Sequence, residues 1–110
     1  MLRVGSYNAR VRPMTERDER WIVATAVPQI RGRLSRADGQ AWQCIGHAVM
    51  RSLLPSLSIV VCELDDAEPI LLGWRAEIGG DLVYDYVARD YRRHGIASAM
   101  RVFCKQREAA

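Results

Sequence analysis

The hydrophobic pattern of the chain changes its period at Pro55, and this change limits the folds that the chain can adopt. Before Pro55, apolar residues such as Trp42 and Ile45 recur at steps of three and four, which predicts amphipathic helices. After it come short β-branched runs, beginning with residues 57–64, and a Gly-Gly pair at 79–80 that is typical of a hairpin. Helices followed by consecutive strands predict an α+β fold with a mainly antiparallel sheet.

The expected order of elements is β-α-α-β-β-β-α within one domain, residues 1–110. Thr15 is the expected N-cap of the first helix, with Asp18 as the acid of a capping box. The predicted bounds are a strand at 7–12, a helix from Thr15 that stops at Pro28, a polar connection at 29–37, a helix from about Asp38 to Pro55, strands at 57–64, 70–78 and 81–88, and a helix at 96–108.

Composition excludes several classes of protein. The chain has 110 residues, of which 49% are hydrophobic and 26% charged, so it fits one soluble domain and not a disordered segment. It has no apolar run of the roughly 18 to 20 residues that a membrane span needs, and its first residues lack the apolar core of a secretory signal. The widely spaced thiols Cys44, Cys62 and Cys104 predict neither a disulfide framework nor a metal site, and favour a reducing cytoplasm.

The charges are distributed unevenly along the chain. Residues 1–36 carry eight basic and three acidic groups, residues 37–88 carry two and eight, and residues 89–110 carry six and two. Such basic ends can bind a phosphate, a nucleic acid or an acidic partner, and they can equally be a solvated surface. Nucleic acid is the least favoured of these because the sequence carries no nucleic-acid-binding motif.

The stretch from Tyr86 to Ala97 contains the residues that predict a ligand-binding site. A predicted strand leads into a basic loop and then a helix, and Arg92-x-x-Gly95-x-Ala97 spans the turn. A glycine and an alanine there allow a ligand to approach the backbone closely. The first amides of the helix have no partner within it and, together with the helix dipole, form a cradle for a phosphate group.

This stretch resembles the acetyl-CoA-binding signature of the GCN5-related N-acetyltransferases (GNATs), in which R/Q-x-x-G-x-G/A joins a strand to a helix. The run Arg12-Pro13-Met14-Thr15, followed by Asp18, is also similar to the start of many GNATs. The resemblance extends over about residues 7–108 and is strongest from residue 70 onward. The amino-acid sequence resembles most closely those of small GNAT-like proteins encoded by tailed bacteriophages.

The resemblance implies a cofactor site and catalytic residues. Acetyl-CoA or CoA is expected to pair through its pantetheine arm with the family's fourth strand, which ends here at Val87 and Ala88. An amide at one of these two residues would polarise the thioester. Asp81, eleven residues before Arg92, has the spacing of a general base in some GNATs. The residues implied for the cofactor are Val87, Ala88, Arg92, Arg93, His94, Gly95, Ile96, Ala97 and Ser98.

Other assignments in this region stay open. Asp85 is a second candidate for the base, and Tyr91, like Tyr84 and Tyr86, is a candidate for the acid that protonates the leaving thiolate. Asp81 can also be a plain hairpin residue, Asp85 a solvent-facing strand residue, and the tyrosines packing aromatics.

The resemblance also predicts an incomplete fold. A complete GNAT continues with a fifth strand, a fourth helix and two more strands, whereas this sequence ends just after its third helix. The last strand is then an open sheet edge, so we expect a homodimer or a host-protein complex that covers it. Two functions are then possible. The first is an acetyl-CoA-dependent N-acyltransferase that acts on an amine of a host protein or small molecule. The alternative is a catalytically degenerate phage protein that binds and modulates a host enzyme or defence protein. Either would act in the bacterial cytoplasm.

Overall fold

A computed structural model of the chain describes residues 2–34, 39–66 and 70–109, with side chains except at 29–34, 39–45 and 109. The chain forms two compact units. The first combines residues 1–14 with 58–110, and the second comprises residues 15–57. The prediction of a single domain over 1–110 stays a prediction.

The first unit is an antiparallel sheet with one long helix. Among the described residues the sheet has five strands in the order β1-β2-β3-β4-β5, so that β5 lies at one edge. The strands and the helix are β1 Leu2–Val4, β2 Tyr7–Pro13, β3 Ser58–Leu64, β4 Leu71–Ile78, β5 Asp81–Val87 and α3 Ile96–Ala109. The α+β class and the antiparallel sheet are thus confirmed.

Strand β1 is absent from the predicted order, which is therefore wrong at the N-terminus. It pairs with β2 from Leu2 opposite Ala9 to Val4 opposite Tyr7, through a turn that contains Gly5 with a φ of 61°. A Gly-Ser pair between two short extended runs is a hairpin signal. A strand of three residues is too short for an alternating pattern to reveal it.

One face of the sheet packs against α3. Alternate residues of the strands point to this face, and Ile96, Met100 and Cys104 come to it from the helix. Gly73 allows a close approach, because a Cβ there would lie 2.6 Å from the carbonyl oxygen of Tyr86 and 3.4 Å from atoms of Ile96 and Met100. The buried strand residues of this core are Val4, Ala9, Val60, Cys62, Leu64 and Leu72.

The opposite face carries a buried carboxylate and an aromatic cluster. Glu63 is fully buried, and it accepts hydrogen bonds from Arg10 Nε at 2.8 Å and from Arg12 Nη2 at 3.0 Å. The ring of Trp74 lies 5.6 Å from that of Tyr84 and 6.2 Å from that of Tyr86, between centroids. The hydrogen bond from Arg12 lowers the pKa of Glu63, against the opposing effect of burial.

The second unit is helical. Helix α1 (Glu19–Leu34) follows a short 3-10 turn at Glu16–Asp18, and helix α2 (Gly39–Leu53) is followed by a 3-10 turn at Leu54–Ser56. The predicted capping box is confirmed, since the Thr15 amide donates to Asp18 Oδ2 at 2.8 Å and the Asp18 amide pairs in return with the Thr15 side chain.

The prediction that the first helix stops at Pro28 is wrong, because α1 continues to Leu34 and replaces the first part of the expected connection at 29–37. Proline removes the amide that would bond to the carbonyl four residues earlier, here that of Ala24. Pro28 and Ala24 both lie on the exposed face of α1. Water can therefore satisfy that carbonyl, and the helix continues.

The remaining predicted bounds agree with the structure to within about two residues, including the strands and helix from residue 57 onward. Of the cysteines whose side chains are described, Cys62 and Cys104 are free and buried. Asp38 and the side chains of Trp42 and Cys44 lie outside the described residues. None of the described helices combines the length and the apolar character needed to cross a membrane.

Candidate functional site

The loop between β5 and α3 folds back on the end of β5. After Val87 the chain makes a 3-10 turn at Arg89–Tyr91, in which the Tyr91 amide donates to the Ala88 carbonyl at 2.9 Å. The Arg92 side chain then reaches back, and its Nε donates to the Val87 carbonyl at 3.0 Å. The structure therefore brings the predicted strand end and the predicted basic loop together.

Two residues of this loop have left-handed backbone angles. Gly95 has a φ of 79°, which a glycine adopts without cost. Arg93 has a φ of 69°, and among the described residues it alone has a positive φ without being glycine. Such a conformation costs on the order of 1 kcal/mol or more and is common at functional sites. The space beside Gly95 is open, since the atom nearest to an added Cβ is Leu2 Cδ1 at 4.0 Å.

The loop ends at the exposed N-terminus of α3. The first hydrogen bond of the helix runs from the Ala99 amide to the Gly95 carbonyl at 3.0 Å. The amides of Ile96, Ala97 and Ser98 precede it and have no hydrogen-bond partner in the described part of the chain. Unpaired amides and the positive end of the helix dipole favour an anion at this point.

Basic side chains surround these amides. Arg92, Arg93 and His94 are exposed, and Ala97 and Ser98 present only small exposed side chains. Ile96 alone is buried, with its side chain in the core beneath the helix. The predicted loop residues therefore form one exposed, basic surface with an accessible backbone, which fits a phosphate or pyrophosphate group.

The open edge of β5 lies beside this loop. The Ala88 amide donates to the Leu72 carbonyl at 2.8 Å, so these two residues form a hydrogen-bonded pair. Because such pairs alternate in an antiparallel ladder, Val87 and Asp85 direct their backbone polar groups away from β4. The Ala88 amide is thus used within the sheet, whereas the Val87 amide faces the open edge.

The two predicted base candidates occupy different places. Asp81 is exposed at the start of β5, opposite Ile78, roughly 20 Å along the strand from Val87. Asp85 is roughly 7 Å from Val87 along the strand. Asp85 Oδ2 lies 3.5 Å from Arg75 Nη1, and the Asp85 side chain is 39% exposed. The structure therefore places Asp85, and not Asp81, close to the loop.

The predicted acid Tyr91 closes the 3-10 turn. It is half-buried and packs against the core formed by the sheet and α3. Tyr84 and Tyr86 lie with Trp74 in the aromatic cluster of the other sheet face. All three tyrosines thus have packing contacts.

Sequence reasoning did not identify the ion-pair network behind Asp85. Arg75 is 8% exposed, and its Nε donates to Glu77 Oε2 at 2.7 Å in addition to its contact with Asp85. Burial and the adjacent Glu77 carboxylate together raise the pKa of the Cys104 thiol. The alternation of Arg75 and Glu77 with apolar residues in a buried strand was the available signal, since buried charges are normally paired.

Comparison with known proteins identifies a similar fold. No protein-family model and no curated protein sequence matches the chain. Among solved structures, the chain is similar to a crystal structure described as a GCN5-related N-acetyltransferase, "Aminotransferase, Class-II", from Rhodopseudomonas palustris. The TM-score is 0.58 at 18% identity, over 92% of this chain and 68% of that chain. The chain thus has a GNAT-like α+β fold.

Proposed function

We propose that the protein is an acetyl-CoA-dependent N-acyltransferase that transfers an acetyl group to an amine. The observation that carries this proposal is the set of unpartnered amides at Ile96, Ala97 and Ser98, which lies beside the open edge of β5. The GNAT-like fold supports it. An anion cradle next to an unpaired strand edge is the arrangement that a phosphate-bearing, amide-bearing ligand requires.

The residues present fit acetyl-CoA. The amides of Ile96–Ser98 would hold the pyrophosphate, with Arg93 and His94 as exposed cations around them. The backbone groups of Asp85, which face the open edge, would pair with the pantetheine arm, while the Val87 carbonyl is held by Arg92. When bound, acetyl-CoA supplies an activated acyl group as a thioester.

The chain itself would supply positioning and proton transfer. The Val87 amide faces the open edge and would donate to the thioester carbonyl oxygen, where negative charge develops. Asp85 is the better placed base, because it is near Val87 and its carboxylate is held by Arg75. Asp81 stays an alternative base. Tyr91, at the end of the turn, would be the acid for the leaving thiolate.

An acetyl-transfer assay tests this proposal. Release of CoA thiol from acetyl-CoA is followed with a panel of amines: lysine peptides, N-terminal peptides and small polyamines. We expect amine-dependent release, with kcat reduced about a hundredfold in Asp85→Asn and by less than about twofold in Asp81→Asn. Amine-dependent release that is lost in Asp81→Asn and kept in Asp85→Asn would reverse the assignment of the base. No release with any amine would contradict the proposal.

The exposed tip of the β4–β5 hairpin favours a second function, that of a binding protein. Ile78, Leu82 and Val83 are 53%, 51% and 47% exposed at the open edge of the sheet. Open strand edges and exposed apolar residues are typical of interaction surfaces. We propose that a second chain, either another copy or a host protein, covers this edge. If the chain is phage-encoded, as its resemblance implies, that host protein would be a bacterial enzyme or defence factor.

Two measurements separate these possibilities. Light scattering gives the mass in solution, and affinity capture from a bacterial lysate is compared between the wild-type chain and Val83→Lys. A dimer that Val83→Lys dissociates supports self-association. A lysate protein that the wild-type chain captures and Val83→Lys does not capture supports a host partner. A monomer that captures nothing contradicts the proposal of a covered edge.

A further inference from the structure

Three charged side chains lie together on the face of the sheet that packs against α3. Arg75 is opposite Asp85 in the register of β4 with β5, and opposite Val60 of the α3 core in the register of β3 with β4. Cross-strand partners point to the same face of a sheet, and so do residues two apart on one strand. Glu77, two residues after Arg75, therefore shares this face with Arg75 and Asp85.

Arg75 joins the two carboxylates through different nitrogens. Its Nε donates to Glu77 Oε2 at 2.7 Å, and its Nη1 lies 3.5 Å from Asp85 Oδ2. The guanidinium is planar and rigid, so a hydrogen bond at Nε restricts the direction in which Nη1 points. The position of Arg75 Nη1, and with it the hold on Asp85 Oδ2, thus depends on Glu77.

The cluster is most deeply buried at the end away from Asp85. The side chains of Asp85, Arg75 and Glu77 are 39%, 10% and 8% exposed, respectively. Glu77 lines a cavity together with Cys104 of α3, so its carboxylate lies between the sheet and the helix. A buried charge is normally paired, and the partner of Glu77 in the described part of the chain is Arg75. Glu77 is therefore a rigid anchor for the guanidinium.

Asp85 has one carboxylate oxygen left for a substrate. Arg75 contacts Oδ2, and within the described part of the chain no hydrogen bond or ion pair reaches Oδ1. A general base must lie within hydrogen-bond reach of the proton that it removes, so the orientation of its carboxylate matters. A partly exposed aspartate without such a contact samples several rotamers. Arg75 thus limits the directions in which Oδ1 points.

We infer that Glu77 is a positioning residue for acetyl transfer. Glu77 holds Arg75, and Arg75 holds Asp85 by Oδ2, which leaves Oδ1 to take the proton of the acceptor amine. The inference rests on the proposed function, because it takes Asp85 to be the base. Glu77 itself acts only through Arg75.

A double-mutant cycle tests this role. We would measure kcat and KM for acetyl transfer on the wild-type protein, Glu77→Gln, Asp85→Asn and the double variant. We expect Glu77→Gln to lower kcat about tenfold with the KM for acetyl-CoA unchanged, and to change kcat by less than about twofold in the Asp85→Asn background. A merely structural role of Glu77 would lower kcat by the same factor in both backgrounds.

Two further variants separate geometry from charge and from general damage. Lysine keeps the positive charge of Arg75 but has a single nitrogen in place of the rigid fork, so we expect Arg75→Lys also to lower kcat about tenfold. Glu108 lines the same cavity as Glu77 but is exposed, and Glu108→Gln should keep kcat within about twofold of the wild type.

Folding is controlled separately, because the loss of one partner of a buried ion pair destabilises a protein. Circular dichroism and thermal melting give a temperature at which every variant is folded, and all rates are measured there. If Glu77→Gln does not fold at any temperature, Arg75→Lys replaces it in the cycle with Asp85→Asn, with the same expected result.

The outcomes distinguish the inference from the proposed function. An unchanged kcat in Glu77→Gln or Arg75→Lys, or equal factors in the two backgrounds, overturns the positioning role and leaves the proposed function standing. A loss in Glu108→Gln as large as that in Glu77→Gln also overturns it. Wild-type kcat in Asp85→Asn overturns the positioning role together with the choice of Asp85 as base. Absence of acetyl transfer by the wild-type protein overturns both the inference and the proposed function.

Discussion

Arg92 and Val87 connect the two halves of the candidate site, because Arg92 Nε donates a hydrogen bond to the Val87 carbonyl at 3.0 Å. This carbonyl faces the open edge of β5 and would otherwise meet solvent or a ligand. The bond therefore fixes the direction in which the basic loop leaves the strand. The Arg92 of the sequence motif thus has a structural role within the site as well as a positive charge.

Replacement of Arg92 by alanine should loosen the loop. We expect the affinity for CoA to fall about tenfold, from one lost charge-assisted hydrogen bond, while the free energy of unfolding changes by less than about 1 kcal/mol. Calorimetry and chemical denaturation measure the two effects. Arg89→Ala is the matched control, because it removes the same charge from an exposed position of the same loop. If Arg92→Ala and Arg89→Ala lost the same affinity for CoA, Arg92 would contribute only its charge, and its hydrogen bond to Val87 would have no role in binding.

Glu63 should make the free energy of unfolding of the protein depend on pH in the acidic range. The pKa of its carboxyl is lower in the folded chain than its ordinary value of 4.5. Its contribution to stability is therefore fully present above about pH 4.5 and is lost as the pH falls through the folded pKa. We expect Glu63→Gln to lower the free energy of unfolding by about 2–3 kcal/mol at pH 7, since both arginines lose a charged partner.

Urea denaturation between pH 2 and pH 7 measures this dependence. The difference between the wild-type protein and Glu63→Gln should narrow as the pH drops below about 4.5. Glu16→Gln, at an exposed position, should show little change at any pH. A difference for Glu63→Gln that stays constant down to pH 2 would mean that the carboxylate is not stabilised by Arg10 and Arg12.

The buried thiols should be unreactive in the folded protein. Burial, with a smaller effect of Glu63, raises the pKa of Cys62 to about 11, and burial also raises that of Cys104. Only the thiolate reacts, so both should be labelled slowly at pH 8. In a Cys44→Ser background, we expect a disulfide reagent to label these two thiols rapidly only after denaturation. Rapid labelling of the native protein would show that one of them is accessible.

The strand and turn pattern from residue 57 onward could be read from the sequence because its signals are local. The β-branched run at 57–64 and the Gly-Gly pair at 79–80 each determine their own segment. The end of α1 could not be predicted from the sequence. The effect of Pro28 depends on whether water reaches the Ala24 carbonyl, and that access is a property of the folded helix.

The candidate site, like the fold, was predictable from the sequence only in part. The motif places Arg92 and Gly95 correctly at the turn between strand and helix. Sequence spacing did not distinguish Asp81 from Asp85, because their distances from the loop follow from the direction of β5. It also left open which backbone amide faces the edge, since the Ala88 amide is paired with Leu72 only through the sheet register.

The most direct test of CoA binding by the loop before α3 is calorimetric titration with acetyl-CoA and with CoA. It is made on the wild-type protein, on Gly95→Glu and on Gly5→Glu. Both glycines have positive φ and no atom closer than 4.0 Å to an added Cβ, so the two variants carry a similar backbone penalty.

We expect binding in the micromolar range by the wild-type protein and by Gly5→Glu, and loss of binding in Gly95→Glu, where a carboxylate would occupy the anion cradle. Absence of binding at millimolar ligand, or equal affinity in all three proteins, would contradict the claim that the loop from Arg92 to Ser98 holds CoA.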